Sequence, residues 1–360
     1  MPSFIESIYR VFDMINPYHW VTWLRNRAFD RGIIESRSFE IPVICIGNIT
    51  VGGTGKTPHT EYLIRLLKKK YRSAVLSRGY GRRSKGFIKA ENSTGMQQIG
   101  DEPYQIKQKF NDITVAVDEK RVYGIETLLK LDSTLQVILL DDAYQHRYVK
   151  AGLNILLVDI NRPLWRDSVL PIGRLRESVA GIERADIIIV TKCPTEIERE
   201  KIEECSKKLL NKKKSPIFFS TMQYGAVYPL FRENCKSVEL KEGMDIVLIT
   251  GIARPAPLKS YLESLGASVT LMQFPDHHIF TEKELQEICD NMAGLSKESI
   301  IITTEKDATR LQGHKQLLDS IKEKMYVIPI EVAILDNKQN MLNQIVLDYV
   351  AKNSRNSRFS

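Results

Sequence analysis

The sequence lacks the patterns of a disulfide-bonded, zinc-binding or membrane-spanning protein. Its 5 cysteines are scattered along 360 residues without a Cys-x-x-Cys pair or a His-rich segment, so neither a disulfide framework nor a zinc site is indicated. No apolar run reaches the length of about 18 residues that a transmembrane helix needs, and charged residues interrupt the N-terminus too often for a signal peptide. We therefore expect a protein of the reducing cytosol that does not span a membrane.

The charge balance of the chain is basic. Lysine and arginine number 52 against 44 aspartate and glutamate residues, which gives a formal net charge of +8. Such a charge favours anionic partners, whether phosphates, nucleic acid or an acidic membrane surface, and does not choose among them. With 43% hydrophobic residues, a chain of this length can bury one large core or the cores of two domains, and two domains are the prediction.

From Ile41 onward, short runs of β-branched and aliphatic residues alternate with helical patterns. The apolar runs include VICIG, SAVLS, ITVAV, QVILL, NILLV and DIIIV. Continuous apolar strands separated by helices predict an α/β fold with a mostly parallel sheet covered by helices. A second alternation from DIVLIT onward predicts a smaller α/β domain. We divide the chain into an amphipathic N-terminal region at 1–34, a core at 35–224, the smaller domain at 225–340, and a C-terminal helix with a basic tail at 341–360.

One segment nearly matches the phosphate-binding loop Gly-x-x-x-x-Gly-Lys-Ser/Thr, with Thr50 in the place of the first glycine. It lies between a predicted strand and a predicted helix, where backbone N–H groups and the helix N-terminus would face phosphates. Lys56 would reach the terminal phosphates and Thr57 would ligate Mg²⁺. A glycine-rich turn without a ligand is the alternative. The predicted nucleotide-binding residues are Thr50, Val51, Gly52, Gly53, Thr54, Gly55, Lys56 and Thr57.

Two acidic pairs accompany this loop. Asp141 and Asp142 follow an apolar strand, the position of a Walker B aspartate that serves Mg²⁺, although two acids there could instead cap a following helix. Asp101 and Glu102 form the second pair, which by itself is an ordinary turn. Pro194 stands in DIIIVTKCP where GTPases carry the aspartate that reads guanine, so ATP is the predicted nucleotide.

Transfer of a phosphoryl group to a hydroxyl needs a carboxylate near the acceptor, cations around the moving group and exclusion of water. The candidate residues for these roles are Asp101, Asp276, His277, His278, Arg78, Arg82, Arg121, Arg174 and Arg176. Each has a plainer alternative, because histidine pairs often pack in a core or cap a helix and arginines often face solvent.

Eight motifs occur in order from Gly47 to Ala308: GNITVGGTGKTP, SRGYGR, GDEP, DDAYQH, VLPIGRLRE, TGIARP, FPDHHIF and TTEKDA. Together they resemble the tetraacyldisaccharide 4′-kinases, the lipid A 4′-kinases of Gram-negative bacteria. The resemblance covers about three-quarters of the chain, and Thr50 belongs to that family's loop pattern. Arg174 and Ser178 depart from it, since proline is expected at both positions in many relatives.

The resemblance implies a peripheral enzyme on the cytoplasmic face of the bacterial inner membrane. Such an enzyme uses ATP and Mg²⁺ to phosphorylate the 4′-hydroxyl of tetraacyldisaccharide 1-phosphate, giving lipid IVA. Its fold is similar to that of P-loop kinases, with the smaller C-terminal domain acting as a lid. The expected partners are this lipid substrate and the membrane surface, without nucleic acid or an obligate protein partner.

The resemblance also implies roles for single residues. Lys56 and Thr57 serve ATP and Mg²⁺, Asp101 is the expected base for the sugar hydroxyl, and His277 is its expected partner. The remaining positions divide into metal and phosphate surroundings, which are Glu102, Asp141 and Asp142, and substrate contacts, which are Tyr80, Arg121 and Arg176.

The first 34 residues combine an apolar helical stripe with Trp20 and Trp23 beside several arginines. This pattern fits a helix at a membrane interface as well as a helix packed on its own core. A lipid substrate favours interfacial docking. Two other functional classes remain open, namely a P-loop ATPase switch or metallochaperone acting on a protein partner, and a nucleic-acid-binding ATPase.

Overall fold

The structure is a computed structural model that describes residues 15–210, 212–231, 238–252, 255–275, 278, 280–293, 299–312 and 319–353. The chain forms two compact units. The first runs to Met222 and resumes at Val332, and the second spans Gln223–Glu331. The chain passes between the two units at these two points.

Each apolar run named in the sequence coincides with a strand of the described chain, and further strands occur outside those runs. The strands are β1 (Val43–Gly47), β2 (Ser73–Ser77), β3 (Ile88–Lys89), β4 (Thr114–Val117), β5 (Val137–Asp141), β6 (Leu153–Asp159), β7 (Ile187–Thr191), β8 (Ile217–Tyr224), β9 (Tyr228–Pro229), β10 (Asp245–Thr250), β11 (Ser268–Gln273), β12 (Ile300–Thr304), β13 (Met325–Ile328) and β14 (Ile330–Ile334).

Helices connect most of these strands. They are α1 (Pro17–Asp30), α2 (Lys56–Leu67), α3 (Met96–Ile99), α4 (Asp101–Lys109), α5 (Arg121–Leu131), α6 (Arg199–Leu209), α7 (Ala256–Ser264), α8 (Glu282–Ala293), α9 (Glu305–Leu311), α10 (Asp319–Lys322) and α11 (Gln339–Asn353). A 3-10 helix of three residues occurs at Leu164–Arg166 and one of six residues at Val179–Arg184.

The first unit is built on a sheet of nine described strands in the order β14-β8-β7-β6-β1-β5-β2-β4-β3. The pairs that link β8, β7, β6, β1, β5, β2 and β4 are parallel, and β3 pairs antiparallel with β4. The predicted α/β class with a mostly parallel, helix-covered sheet is confirmed. In such sheets ligands bind beyond the carboxyl ends of the strands.

The central strand β1 is buried on both faces, as its continuous apolar sequence predicts. Val43 and Cys45 belong to one hydrophobic cluster, whereas Ile44 and Ile46 belong to a second cluster on the opposite face. The C-terminal helix α11 adds buried aliphatic side chains to that second cluster. The segment after β14 therefore packs as part of the first unit.

Register aligns the ends of the central strands. Ile46 of β1 pairs with Asp141 of β5, and Gly47 pairs with Leu156 of β6. Because these strands are parallel, their carboxyl ends meet at one edge of the sheet. The loop after β1 consequently starts beside Asp141 and Asp142.

The second unit has a sheet of five described strands in the order β11-β10-β12-β13-β9, parallel except for the pair β13–β9. Alternate residues of β10 enter separate clusters, Val247 in one and Leu248 in the other. The fully buried Asp307 ties two strand ends together, because its carboxylate accepts from Thr250 Oγ1 (3.1 Å), Gly251 N–H (3.0 Å) and Thr304 Oγ1 (2.7 Å).

Helix α1 is anchored to the first unit through its polar side. Asn16 caps the helix by accepting from the Tyr18 N–H (3.0 Å), and its Nδ2 donates to the carbonyl oxygens of Val169 (3.2 Å) and Leu170 (2.9 Å). Pro17 at the first helical position has a backbone angle already suited to a helix. No helix of the described residues is both long and apolar enough to cross a membrane. Of the predicted N-terminal apolar stripe, residues 1–14 lie outside the described residues.

Candidate active site

The loop between β1 and α2 has the backbone of a phosphate-binding loop. Gly52 and Gly55 have φ angles of 99° and 85°, in the left-handed region that glycine adopts without steric cost, and Gly55 caps α2. Lys56 opens the helix, and Thr57 follows it as a half-buried second residue. These positions direct the N-terminus of a twelve-residue helix into the loop.

Thr50 pairs with a distant segment of the chain and does not need the backbone freedom of glycine. It forms an antiparallel bridge with Leu175, and it is not among the described residues with positive φ. The Val51 N–H donates to the Arg174 carbonyl (2.8 Å), which also accepts from the Thr50 hydroxyl (3.3 Å). The first half of the loop is thus paired with residues 173–177. Arg174, which departs from the family pattern, contributes its backbone here.

Lys56, Asp142 and Arg176 form a charged group beside the loop. The Lys56 ammonium lies 3.7 Å from Asp142 Oδ2, and Arg176 Nη1 donates to both oxygens of Asp142 at 3.0 and 3.2 Å. Asp142 adopts a left-handed φ of 46°, which is uncommon for a residue other than glycine. Such a conformation persists only where the surroundings fix it.

Asp141 lies fully buried behind this group. Its Oδ1 accepts from the Thr60 hydroxyl (2.8 Å), whereas its Oδ2 has no hydrogen-bond partner among the described residues. Burial, followed by the charges of Glu102 and Asp142, raises the pKa of the Asp141 carboxyl to about 7. A buried oxygen without a partner beside other carboxylates is a suitable ligand for a divalent cation.

Asp101 and Glu102 begin helix α4, where their charges favour the helix N-terminus. Gly100, with φ of 88°, precedes them because a Cβ there would lie 2.6 Å from the Tyr80 carbonyl oxygen. The SRGYGR loop is therefore packed against the turn that carries Asp101. Tyr80 itself exposes its side chain.

The arginines of the site differ in their surroundings. Arg121 is buried, and its Nη1 donates to the carbonyls of Asp118 (3.0 Å) and Glu119 (3.2 Å). Burial and the nearby Arg78 lower the pKa of Arg121 to about 10. The plainer alternative of a solvent-facing arginine does not hold for Arg82, because its side chain is buried and its guanidinium pairs with Glu119 at 2.5 Å.

Glu177 was missed by the sequence analysis, although the motif VLPIGRLRE contains it. Its buried carboxylate accepts from Asn26 Nδ2 (2.8 Å), Gln145 Nε2 (2.9 Å) and Arg184 Nη2 (2.7 Å). It thereby joins helix α1 to the segment that pairs with Thr50. A glutamate next to Arg176 in a family motif was the available signal.

Nothing in the sequence indicated a role for Thr191 and Lys192, because in their segment only Pro194 had a predicted meaning. The Thr191 hydroxyl donates to the Thr54 carbonyl (2.8 Å), and the Lys192 ammonium donates to the Gly53 carbonyl. The end of β7 therefore contacts the phosphate-binding loop directly.

In the second unit, His278 has fixed partners. Its Nε2 lies 2.9 Å from Glu284 Oε2, and its ring stacks on Phe274 and meets Phe280 edge-on at centroid distances of 5.0 and 5.3 Å. Asp276 and His277 lie outside the described residues.

The residues of the first unit fit a Mg²⁺-bound nucleotide. The described residues contain no group of three His, Cys, Asp or Glu side chains arranged to hold a metal unaided. Mg²⁺ in nucleotide sites usually takes one or two carboxylates and completes its shell with phosphates and water. Asp141, with its unpartnered oxygen, and Thr57, at the start of α2, supply that kind of incomplete shell.

Comparisons with known proteins agree with this geometry. A sequence model of the family described as tetraacyldisaccharide-1-P 4′-kinase matches residues 11–350. A tetraacyldisaccharide 4′-kinase from Phocaeicola vulgatus is 48% identical over 363 residues, covering 98% of this chain and 99% of that protein. One from Flavobacterium johnsoniae is 44% identical over 336 residues, covering 93% and 95%.

A solved structure gives the same result. LpxK from Aquifex aeolicus, in a crystal structure in complex with ATP, aligns with a TM-score of 0.73 at 27% identity, over 96% of this chain and 99% of that chain. The family match extends over nearly the whole sequence, and the site's loop, strand-end acids and arginines lie within it. The chain therefore belongs to the tetraacyldisaccharide-1-P 4′-kinase family.

Proposed function

We propose that this kinase transfers the γ-phosphate of ATP to the 4′-hydroxyl of tetraacyldisaccharide 1-phosphate while docked on a membrane surface. The observation that carries the proposal is the group of Lys56, Asp142 and Arg176 around a phosphate-binding loop, in a chain of this family. The product would be lipid IVA. The P-loop ATPase switch and the nucleic-acid-binding ATPase are not favoured, since no observation on the described residues points to either.

Asp101 is the proposed base. It stands in the first turn of α4, beside the loop that contains Tyr80, and its neighbour Glu102 is close enough to Asp141 to raise the pKa of that carboxyl. In this assignment Asp101 accepts the proton from the attacking 4′-hydroxyl, and the family resemblance makes His277 its proposed partner in that step.

Lys56 and Arg176 stabilise negative charge that develops on the transferring group. Thr57, Glu102, Asp141 and Asp142 make up the surroundings that would hold Mg²⁺. Mg²⁺ held there would supply positive charge next to the phosphate oxygens. Tyr80 and Arg121 are the proposed contacts to the substrate or its phosphates.

The decisive experiment measures transfer of radiolabelled γ-phosphate from ATP to tetraacyldisaccharide 1-phosphate in detergent micelles. Wild-type protein should form a labelled lipid, and Lys56→Ala should lose it. Absence of product with folded wild-type protein would refute the proposal.

The same assay tests the base. Asp101→Ala is expected to lower kcat by about 10²-fold or more, because general-base catalysis contributes at that level. Near-wild-type turnover would remove Asp101 from this role. His277→Ala should cost less than Asp101→Ala if it only orients the carboxylate. His278→Ala is the matched control, because His278 is engaged with Glu284 and is expected to affect stability of the second unit more than kcat.

Membrane docking is proposed for helix α1. The helix directs polar residues toward the first unit, where Tyr18 Oη donates to the Arg176 carbonyl (3.2 Å) and Asn26 to Glu177. It leaves an apolar patch exposed, which consists of Trp20, Val21, Trp23 and Leu24. Exposed tryptophans next to arginines suit a lipid headgroup region, and the substrate's acyl chains stay in the bilayer. The cytoplasmic face of the bacterial inner membrane is the proposed location.

This docking is tested by flotation with vesicles that contain anionic phospholipid. Paired Trp20→Gln and Trp23→Gln substitutions should move most of the protein to the unbound fraction. The matched control replaces Leu210 and Met341 by glutamine, because both are exposed apolar residues outside the patch. Equal partitioning of the two double variants would contradict the assignment.

A further inference from the structure

Three consecutive carbonyl groups of the phosphate-binding loop each accept a hydrogen bond from a side chain. Gly53 O accepts from the Lys192 ammonium, Thr54 O accepts from the Thr191 hydroxyl at 2.8 Å, and Gly55 O pairs with His59 Nδ1 at 2.7 Å. We refer to Lys192, Thr191 and His59 as the carbonyl clamp.

The clamp controls the opposite side of the loop. In a planar trans peptide, the carbonyl of one residue and the N–H of the next point in opposite directions. Holding the carbonyls of Gly53, Thr54 and Gly55 therefore fixes the N–H groups of Thr54, Gly55 and Lys56. Those N–H groups are the ones that a loop of this kind turns toward phosphates.

His59 can donate to the Gly55 carbonyl near pH 7. Its ring is buried, and its Nε2 lies 3.0 Å from Ser220 Oγ. Burial lowers the pKa of His59 to about 4, so the ring is neutral near pH 7. One nitrogen then donates to Gly55 O while the other accepts from Ser220.

Lys192 lies where its side chain reaches the phosphate-binding loop. It follows β7 with a left-handed φ of 58°, which is uncommon for a side chain with a Cβ. Its ammonium bridges Gly53 O and Asp159 Oδ2, the latter at 2.9 Å. Asp159 is buried at the end of β6, and its Oδ1 accepts from the Asn161 N–H at 3.0 Å.

The charge of Lys192 is thus directed at a carbonyl and a buried carboxylate. A buried carboxylate needs a compensating charge and hydrogen bonds, which Lys192 and Asn161 supply. In return, Asp159 holds the ammonium where it meets Gly53. Asp159 is the last residue of β6 and pairs with Thr191, the last residue of the parallel strand β7, so Lys192 lies one residue beyond the paired strand ends.

We propose that Lys192, anchored by Asp159, is a positioning residue that sets the orientation of the phosphate-binding N–H groups before ATP arrives. It acts through the loop and does not touch the transferring phosphate. A loop that is already oriented loses less conformational freedom on binding, which strengthens binding. The inference rests on the ATP-binding role of the loop within the proposed function, and it is independent of the identity of the base.

The test compares Lys192→Met with Lys192→Arg. Methionine keeps the length and removes the donor, whereas arginine keeps the charge and the donors. Lys192→Met should raise the Kd for mant-ATP, measured with Mg²⁺ and without lipid, by about tenfold or more, the level at which a charged hydrogen bond contributes. KM for ATP should rise likewise, with a smaller change in kcat and none in KM for the lipid. Lys192→Arg should restore most of the affinity.

A matched control comes from the opposite end of the same strands. Lys213 Nζ also bridges a carbonyl, that of Arg184 (3.3 Å), and an aspartate, Asp186 (2.7 Å), but it does so at the amino end of β7. Lys213→Met removes a similar ion pair and should leave the Kd for mant-ATP unchanged. Asp159→Asn is a second variant of the clamp and should weaken binding in the same direction as Lys192→Met.

Three results would overturn the inference: a wild-type Kd in Lys192→Met, equal effects of Lys192→Met and Lys213→Met, or no recovery with Lys192→Arg. Because mant-ATP binding is measured without lipid, it separates this inference from the proposed function. If folded wild-type protein failed to phosphorylate the lipid yet its mant-ATP affinity still depended on Lys192, the proposed function would fail and the inference would stand.

Discussion

Asp141 is expected to destabilise the protein in the absence of ligands, and replacing it by asparagine should make the first unit more stable at pH 8. The carboxyl is fully buried, and among the described residues it has one hydrogen-bond donor in Thr60 and one oxygen without a partner. Ionisation there is unfavourable, which is why its pKa rises to about 7. Asp141→Asn removes the charge and keeps the shape.

The magnitude follows from linkage between protonation and folding. The pKa of Asp141 is about 7 in the folded state, against 3.8 for an ordinary aspartate. Between these pH values the folded state holds a proton that the unfolded state has lost, so stability falls as pH rises, by up to about 4 kcal/mol in total. The new Asn amide lacks an acceptor, which costs about 1–3 kcal/mol. The net gain at pH 8 is therefore about 2 kcal/mol, or roughly 4–8 °C in Tm.

The stability difference between Asp141→Asn and the wild type should also depend on pH, which is the more specific prediction. At pH 5 Asp141 is protonated in the folded wild-type protein, so the free energy of unfolding is higher than at pH 8 by about 3 kcal/mol. The advantage of Asp141→Asn should therefore disappear between pH 8 and pH 5. Differential scanning calorimetry of ligand-free protein at both pH values measures this, and the variant should also lose phosphoryl transfer.

Asp307→Asn is the matched control, because Asp307 is equally buried but has several donors. Its partners include the Thr304 hydroxyl at 2.7 Å and Arg310 Nη1 at 3.3 Å. Removing its charge should destabilise the second unit by about 3–5 kcal/mol, as for one partner of a buried ion pair. A Tm for Asp141→Asn at or below that of the wild type at pH 8, or a difference that does not change with pH, would refute the reasoning.

Three other substitutions test the neighbourhood of the loop. Arg176→Ala removes the cation beside the strand-end carboxylate, so kcat in the radiolabel assay should fall by about 10²-fold; a smaller change than threefold would contradict a role in transfer. Thr50→Gly keeps the hydrogen bond from the Val51 N–H to the Arg174 carbonyl, so the Kd for mant-ATP should change by no more than about fivefold, the effect of losing one neutral hydrogen bond. Glu177→Gln leaves Arg184 without its charge partner and should lower the free energy of unfolding of the first unit by about 3 kcal/mol in urea denaturation; an unchanged midpoint would show that the buried pair is not stabilising.

The order of strands and helices was readable from the sequence because it depends on local patterns. Continuous aliphatic runs such as β1 and β5 are buried on both faces, and the sequence shows that directly. The loop after β1 was predictable for the same reason, since glycines, Lys56 and the following helix are adjacent in the chain. Asp141 and Asp142 could be placed beside it because parallel strands end at one edge.

Other features of the site join residues that are far apart in the sequence. Thr50 lies 124 residues from Arg174, whose carbonyl it contacts, and Lys192 lies 139 residues from Gly53. No periodicity or local motif encodes such a pair. Arg82 is a further example, because a GRR sequence is typical of a solvated surface, whereas in the fold the Arg82 side chain is paired with Glu119.

The sequence by itself determined the α/β class, the phosphate-binding loop and the family, because each depends on the identity of neighbouring residues or on the order of motifs. Only the tertiary structure decided why Thr50 replaces a glycine, why Asp141 holds its proton near neutral pH, and which side chains orient the loop. Hydrogen bonds and buried charges act across space over a few ångströms, and the distances that govern them exist only after the strands have been brought together.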